Sequence, residues 1–303
     1  MARTIKNSSM AERATAALVS NPATMEDDDL TSNPPLRPGL VSVTFRQLTP
    51  AVILDLAARV GLEGIEWGGD VHVPHGELDT AREVRRLTQE AGLQVAAYGS
   101  YYRVGHSESE GLSFERVLET AGELSAPLVR VWAGQRAAVD DNYLSHVATD
   151  ARRIADMAQT AGIRVACEWH EGTLTQTPEG ALRLLHESAH PNLRLLWQPV
   201  DWLEKSPSET IEANLAGLRL AMPYLENLHV FHWKTQGQQT QRCALREGES
   251  MWNPYLKCLA ECPAQGGAAH ERWLLLEFVR DHNPAVLAED ALTLRQWLRG
   301  GSG

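Results

Sequence analysis

From Gly39 onward, short apolar runs alternate with longer segments whose apolar residues recur at helical spacing. The runs are "GLVSVTF" (39–45), "GIEW" (64–67), "VAAYG" (95–99), "LVRVWAG" (128–134), "RVACEW" (164–169), "LRLLWQ" (193–198), "NLHVF" (227–231) and "WLLLEF" (273–278). Each ends in polar or glycine residues, and a helical segment follows. "TPAVILDLAARVG" opens with Thr49 as a candidate N-cap and Pro50 at the first helical position, then stops at Gly61. "DTAREVRRLTQEAG" stops at Gly92, and later segments open with Thr-Pro, Ser-Pro or Asn-Pro. Strict alternation implies parallel strands joined by right-handed crossovers. Eight such units predict a closed (β/α)8 TIM barrel, one α/β domain over residues 39–299. An open doubly wound sheet would want a Gly-rich phosphate turn after an early strand, and "WGGD" (67–70) is too short for one. Residues 1–38 read as a flexible N-terminal extension, and 300–303 as a loose tail.

Charge and composition narrow the partners. A net charge of −11 over 303 residues argues against a nucleic-acid surface, which would show a basic patch or stripe. No apolar run approaches the roughly 20 residues of a membrane span, and the N-terminal stretch has no long apolar core of a signal peptide. A cytoplasmic location is expected. The four cysteines (Cys167, Cys243, Cys258, Cys262) form no C-x-x-C pair, so reduced thiols are expected. Homo-oligomerisation stays open.

A barrel places its chemistry at the C-terminal ends of its strands, so polar residues that close an apolar run are the candidates. In "ACEWHEG", Ala166, Glu168 and His170 share one face and Cys167 and Trp169 the other. The sixth run ends at Gln198. The seventh, "NLHVFHWK", offers His229 and His232, and the eighth holds Glu277 within apolar surroundings. A buried carboxylate is costly unless paired or bound to a cation. Each residue alone has a plain structural reading, as a paired core carboxylate or a hydrogen-bonded core histidine or amide. Four successive strands that each end in an oxygen or nitrogen donor make a divalent metal the economical explanation.

These stretches resemble the xylose-isomerase-like TIM barrels of the sugar phosphate isomerase/epimerase family. The likeness covers about residues 39–299 and rests on "GLEGIEW", "GIRVACEWHEG", "HPNLRLLWQP", "PYLENLHVFHWK" and "LLLEFV". It implies a metal-dependent isomerase or epimerase with Mn2+, Mg2+ or Zn2+. Strand five's glutamate is then Glu168 and strand eight's is Glu277. Strand seven's ligand falls on His229, with His232 where the family has aspartate. Strand parity agrees, since residues three apart cannot both point inward, and His232 becomes a substrate-contact candidate. Strand six departs from the pattern: an aspartate, a proline and a later histidine become Gln198, Pro199 and Asp201. The implied ligand set is Glu168, Gln198, His229 and Glu277. Strands five and eight lie three steps apart, so the two glutamates would approach a substrate from different sides. The resemblance implies that they act as the acid/base pair for proton transfer beside a carbonyl, through an enediolate that the metal stabilises.

The expected substrate is a small sugar or polyol. Trp67, Tyr98, Trp132, His72, His170, Asp201, His232 and Arg130 are its candidate contacts, because they fall near predicted strand ends or loops. Tyr101, Tyr102, Trp169, Trp197 and Trp233 share that placement, with rim packing as the plainer reading. Arg46 and Arg103 are candidate anion contacts. Arg130, inside "LVRVW", also reads as a brace that pairs with Glu66. The same scaffold supports lyase chemistry on keto-inositols or 3-keto-glycosides, which starts from the same proton removal. Apurinic-site endonuclease is disfavoured by the acidic charge and by the shortage of further strand-end His and Asp. Gln198 keeps open a non-catalytic sugar-binding barrel.

Overall fold

The structure is a computed structural model that describes residues 35–137, 140–200, 206–236, 239–261 and 271–300. Its barrel strands are β1 (Leu36–Val41), β2 (Gly64–Gly68), β3 (Gln94–Arg103), β4 (Leu128–Trp132), β5 (Arg164–Glu168), β6 (Leu193–Trp197), β7 (Leu225–Val230) and β10 (Arg272–Leu276). All neighbours are parallel, and β10 pairs with both β1 and β7, so the sheet closes. Helices α1 (Pro50–Arg59), α2 (Leu78–Glu90), α3 (Phe114–Leu124), α4 (Asp141–Thr160), α5 (Pro178–Ser188), α6 (Pro207–Ala221), α7 (Glu249–Glu261) and α8 (Leu287–Gly300) follow the strands in turn. The expected eight-unit TIM barrel is therefore present.

Local chemistry sets the helix ends. Thr177 caps α5 by accepting from the Gly180 N–H, with Pro178 in the first turn. Ser206 and Glu209 close a capping box at α6. Gly92 takes φ 72° just past α2, where a side chain would meet the left-handed penalty. Thr49 precedes α1, as expected, but its side chain makes no capping hydrogen bond.

Three details differ from the sequence reading. The barrel begins at Leu36, three residues before the expected boundary, because the "LRP" segment pairs with β10. Residues 42–45 form a 3-10 turn rather than more strand. Between β7 and α7 lies an antiparallel hairpin, β8 (Trp233–Gln236) and β9 (Gln239–Arg242), which the strand count did not include. The expected N-terminal extension, apart from its last few residues, lies outside the described residues, as do Asp201, Cys262 and residues 301–303. Cys167, Cys243 and Cys258 are all buried, and Cys167 and Cys243 are free thiols.

Strand parity divides the core. Ala97, Leu128, Ala166 and Leu196 form one layer inside the barrel, and Val41, Val43, Ala96, Trp273 and Leu275 another. Alternate residues such as Cys167 and Val131 face the helices. Among the described residues no helix is long and apolar enough to cross a membrane.

Candidate active site

Above the inner layers, at the C-terminal ends of the strands, lies a cavity of about 520 Å³. Glu168, His170, Gln198 and Glu277 line it, together with Arg130 and Trp132. His229 forms part of the buried base below, fully shielded from solvent. The structure thus brings together the strand-end set expected from sequence.

Arg130 organises this base. Its Nε donates to Glu66 Oε1 at 2.7 Å and its Nη1 to Glu168 Oε2 at 2.5 Å. Trp132 Nε1 donates to the same Glu168 oxygen at 2.5 Å. Burial alone would raise the Glu168 pKa, but the Arg130 charge and then His229 outweigh it, so the carboxyl titrates below its ordinary range. Glu66 is lowered for the same reasons. Arg130 was expected either to touch substrate or to brace strands through Glu66. It lines the cavity, but its guanidinium is engaged by two carboxylates, and the brace is the contact observed.

Gly99 makes room for that brace. A Cβ there would stand 2.5 Å from Arg130 Nη2 and 2.8 Å from Glu66 Oε1. Gly99→Ala is expected to displace the pair and destabilise the fold by about 1–3 kcal/mol, read from chemical denaturation.

His229 sits among three carboxylates. Its Nε2–H donates to Glu66 Oε2 at 3.2 Å, while Nδ1 lies 3.2 Å from Glu277 Oε2 and 3.5 Å from Glu168 Oε1. Those two Nδ1 contacts are close but not aligned as hydrogen bonds, so His229 Nδ1 and Glu277 Oε2 are unpartnered among the described residues. Burial opposes charge on the ring, yet Glu277 and Glu66 push its pKa well above the ordinary value. This spot favours positive charge at the Nδ1 edge.

Gln198 donates from Nε2 to the Trp169 carbonyl at 2.8 Å and to Glu168 Oε1 at 3.3 Å, which leaves its buried Oε1 without a partner. The group therefore offers a carboxylate oxygen, an imidazole nitrogen and an amide oxygen, all unpartnered, beside Glu168. Three buried carboxyl groups, Glu66, Glu168 and Glu277, share one guanidinium and the His229 ring, so the cluster is net acidic even with His229 protonated. That donor set and that charge fit a divalent cation. Glu66 holds the remote His229 nitrogen, as a carboxylate behind a ligating histidine does. The side chains are not preformed as a cage: among the described residues no group of three His, Cys, Asp or Glu takes a ligating arrangement.

Several expected contacts fall elsewhere. Trp67 and Tyr98 have the outward parity next to inward Glu66 and Gly99. Trp67 Nε1 donates to Thr88 on α2, and the Tyr98 hydroxyl donates to the Val73 carbonyl beneath the β2–α2 loop. Neither lines the cavity. His72 is buried in that loop, contacting Ser42 Oγ at 2.9 Å and the Leu48 carbonyl at 3.2 Å, and acts as a structural tie. His232 does lie past its strand end, but its ring packs against Gly248 rather than lining the cavity. Trp132 and His170 do line it, with ring centroids 4.7 Å apart.

The sequence reading missed Arg242, His282, Phe231 and Phe278 on the cavity wall. Two of the wall's aromatic residues, Tyr101 and Phe278, hold φ near 56° and 55°. Left-handed backbone costs a bulky residue about 1 kcal/mol or more, and such outliers gather at functional sites. For Phe231 and Arg242 the length of the segment between β7 and α7 was the available signal, since long loops at this barrel face carry binding residues.

A family profile described as xylose isomerase-like TIM barrel matches residues 54–297. The chain belongs to that family. Among curated proteins, a 3-dehydroshikimate dehydratase of Bacillus anthracis is 25% identical over 173 residues, 52% of this chain. The chain spans 59% of the length of that curated relative. Among solved structures, a xylose isomerase-like TIM barrel protein from Mycobacterium smegmatis, in complex with magnesium, superposes with TM-score 0.63 at 16% identity. It covers 88% of this chain and 98% of its own. A D-allulose 3-epimerase from Methylomonas sp. superposes with TM-score 0.62, at the same identity and coverage. At such identities the superpositions establish the shared fold. The curated relative is thus named as a dehydratase, and a protein of the same fold is named as an epimerase.

Proposed function

We propose that the cavity is the active site of an isomerase or epimerase that removes a proton beside a carbonyl in a small sugar, polyol or related substrate. The observation that carries this reading is Glu277 Oε2, buried under an open cavity with no hydrogen bond and only the His229 ring at 3.2 Å facing it, in a base where Gln198 Oε1 also lacks a hydrogen bond. Buried polar groups without partners are rare, and sites that complete them with a ligand are the common exception. Glu277 accepts the proton through that oxygen. Glu168, on the other side of His229 Nδ1, is ionised at rest, so the proton returned to the opposite face comes from solvent in the cavity by way of its Oε1. Arg130 and Trp132 fix Glu168 in place through Oε2, and Glu66 fixes the His229 ring. Trp132 and His170 offer ring faces to the apolar face of a polyol.

The residues that would hold a divalent ion (Mn2+, Mg2+ or Zn2+) are Glu168, Gln198, His229 and Glu277. When bound, such an ion supplies Lewis-acid polarisation of the substrate carbonyl. The magnesium in the Mycobacterium smegmatis relative supports this reading. Protein saturated with Mn2+ at about 100 times its Kd is expected to gain about 2.7 kcal/mol over chelator-treated protein, seen as a higher Tm. An unchanged Tm, with no stoichiometric metal in the purified protein, would reject the ion.

A lyase reading has its own support. Arg130 and Trp132 both occupy Glu168 Oε2, so Glu277 is the carboxylate with an unpartnered oxygen. One base suffices when proton removal is followed by loss of a β-hydroxyl as water, and the curated relative is a dehydratase. Incubation with keto-polyols in D2O separates the readings by NMR. Deuterium at the carbon beside the carbonyl with a new epimer or isomer supports the first; loss of water to give a new alkene supports the second. Bound substrate with neither exchange nor loss of water rejects both.

A further inference from the structure

We infer that the substrate carries a carboxylate, received by Arg242; the inference rests on the proposed active site and specifies its substrate class. Three arginines line the cavity, and they differ in what neutralises them. Arg130 is held by Glu66 and Glu168, and Arg46 by Asp70 at 2.5 Å. Arg242 forms no salt bridge to a carboxylate among the described residues. Its guanidinium abuts the His282 ring, which is a neutral acceptor or a second cation but never a counter-anion. The side chain is half-buried, and burial pushes its pKa down while Glu277 only partly restores it. A cation half-withdrawn from water with no counter-charge is a place where an anion gains most.

The surroundings fix how that anion would dock. The Arg242 guanidinium lies over the Phe278 ring at 4.7 Å, and Phe278 stacks on Trp233 with centroids 5.3 Å apart and planes 28° from parallel. Trp233 and Arg242 are paired across the β8–β9 hairpin. The aromatic stack thus holds a planar guanidinium at the cavity wall, and its nitrogens not held by His282 can receive a carboxylate with a directionality that a lysine lacks. The cavity has an anion-receiving wall at Arg242 and an acidic, proton-transferring floor at Glu168 and Glu277. Those features together suit a hydroxy- or keto-polyol acid rather than a neutral sugar.

Calorimetric titration with matched pairs, quinate against its methyl ester and D-gluconate against D-glucose, tests this on the full chain. The acids are expected to bind roughly tenfold or more tightly than their neutral partners. In Arg242→Gln the ratio should fall to about one. Arg242→Lys, which keeps the charge and loses the fork, should fall between, and it stands in if the first variant misfolds. Equal binding of acid and neutral partners, a preference that survives Arg242→Gln, or no acid bound below about 10 mM would each overturn the inference. Deuterium exchange into a neutral ketose such as D-fructose without any acid preference would overturn it while leaving the proposed chemistry standing. An Arg242-dependent acid preference with no exchange on any keto acid would support it and reject that chemistry instead.

Discussion

Replacing Glu277 with Gln is expected to slow solvent-deuterium uptake into substrate by about 10²–10⁴-fold while the barrel stays folded. The substitution keeps the size of the side chain and leaves the Glu277 backbone N–H on the Val230 carbonyl. It removes the one buried carboxylate oxygen among the described residues that has no donor. It also removes one negative charge from a cluster that carries an excess of them, so the fold should not suffer for lack of compensation. Glu168→Gln should differ. Its carboxylate is held by Arg130 and Trp132, so its loss should lower exchange and also loosen the Arg130 brace. Denaturation midpoints measured beside exchange rates separate the two: a rate defect alone for Glu277→Gln, both defects for Glu168→Gln. Exchange at the wild-type rate in Glu277→Gln would remove Glu277 as the base.

The largest expected stability effect belongs to Arg130→Met. The guanidinium is buried between two buried carboxylates, and without it Glu66 and Glu168 would face each other's charge with only His229 nearby. Removing one partner of a buried ion pair costs about 3–5 kcal/mol, because the remaining charge stays desolvated. The urea midpoint should fall accordingly. Adding Glu66→Gln should recover part of the loss, since the double variant strands one carboxylate fewer. A midpoint within about 0.5 kcal/mol of wild type for the single variant would show that the pair adds nothing.

Glu168, Gln198, His229 and Glu277 were legible because a strand's side chains alternate and a barrel's polar strand ends face one mouth. The same parity speaks against Trp67 and Tyr98. Each neighbours an inward residue, Glu66 or Gly99, and so must face the helices. Proximity to a strand end suggested them as contacts, but direction decides contact. His72 was ambiguous because a loop residue has no parity; only the Ser42 turn and the Leu48 carbonyl reveal it as a tie. Arg242 had no signal of its own. It belongs to a hairpin whose strands are short, polar and outside the barrel's apolar rhythm.

By itself the sequence determined the eight-unit barrel and its strand-end donors, because both follow from local periodicities of two and 3.6 residues. Tertiary structure alone decided which charges meet. Arg130 reaches Glu66 and Glu168, which lie 64 and 38 residues away. Gly99 leaves the gap that they fill, and the β8–β9 hairpin carries Arg242 to the ring of Phe278 beyond β10. Those contacts depend on the order and register in which the sheet closes. Closure sums interactions over the whole chain, and no short window of residues contains it.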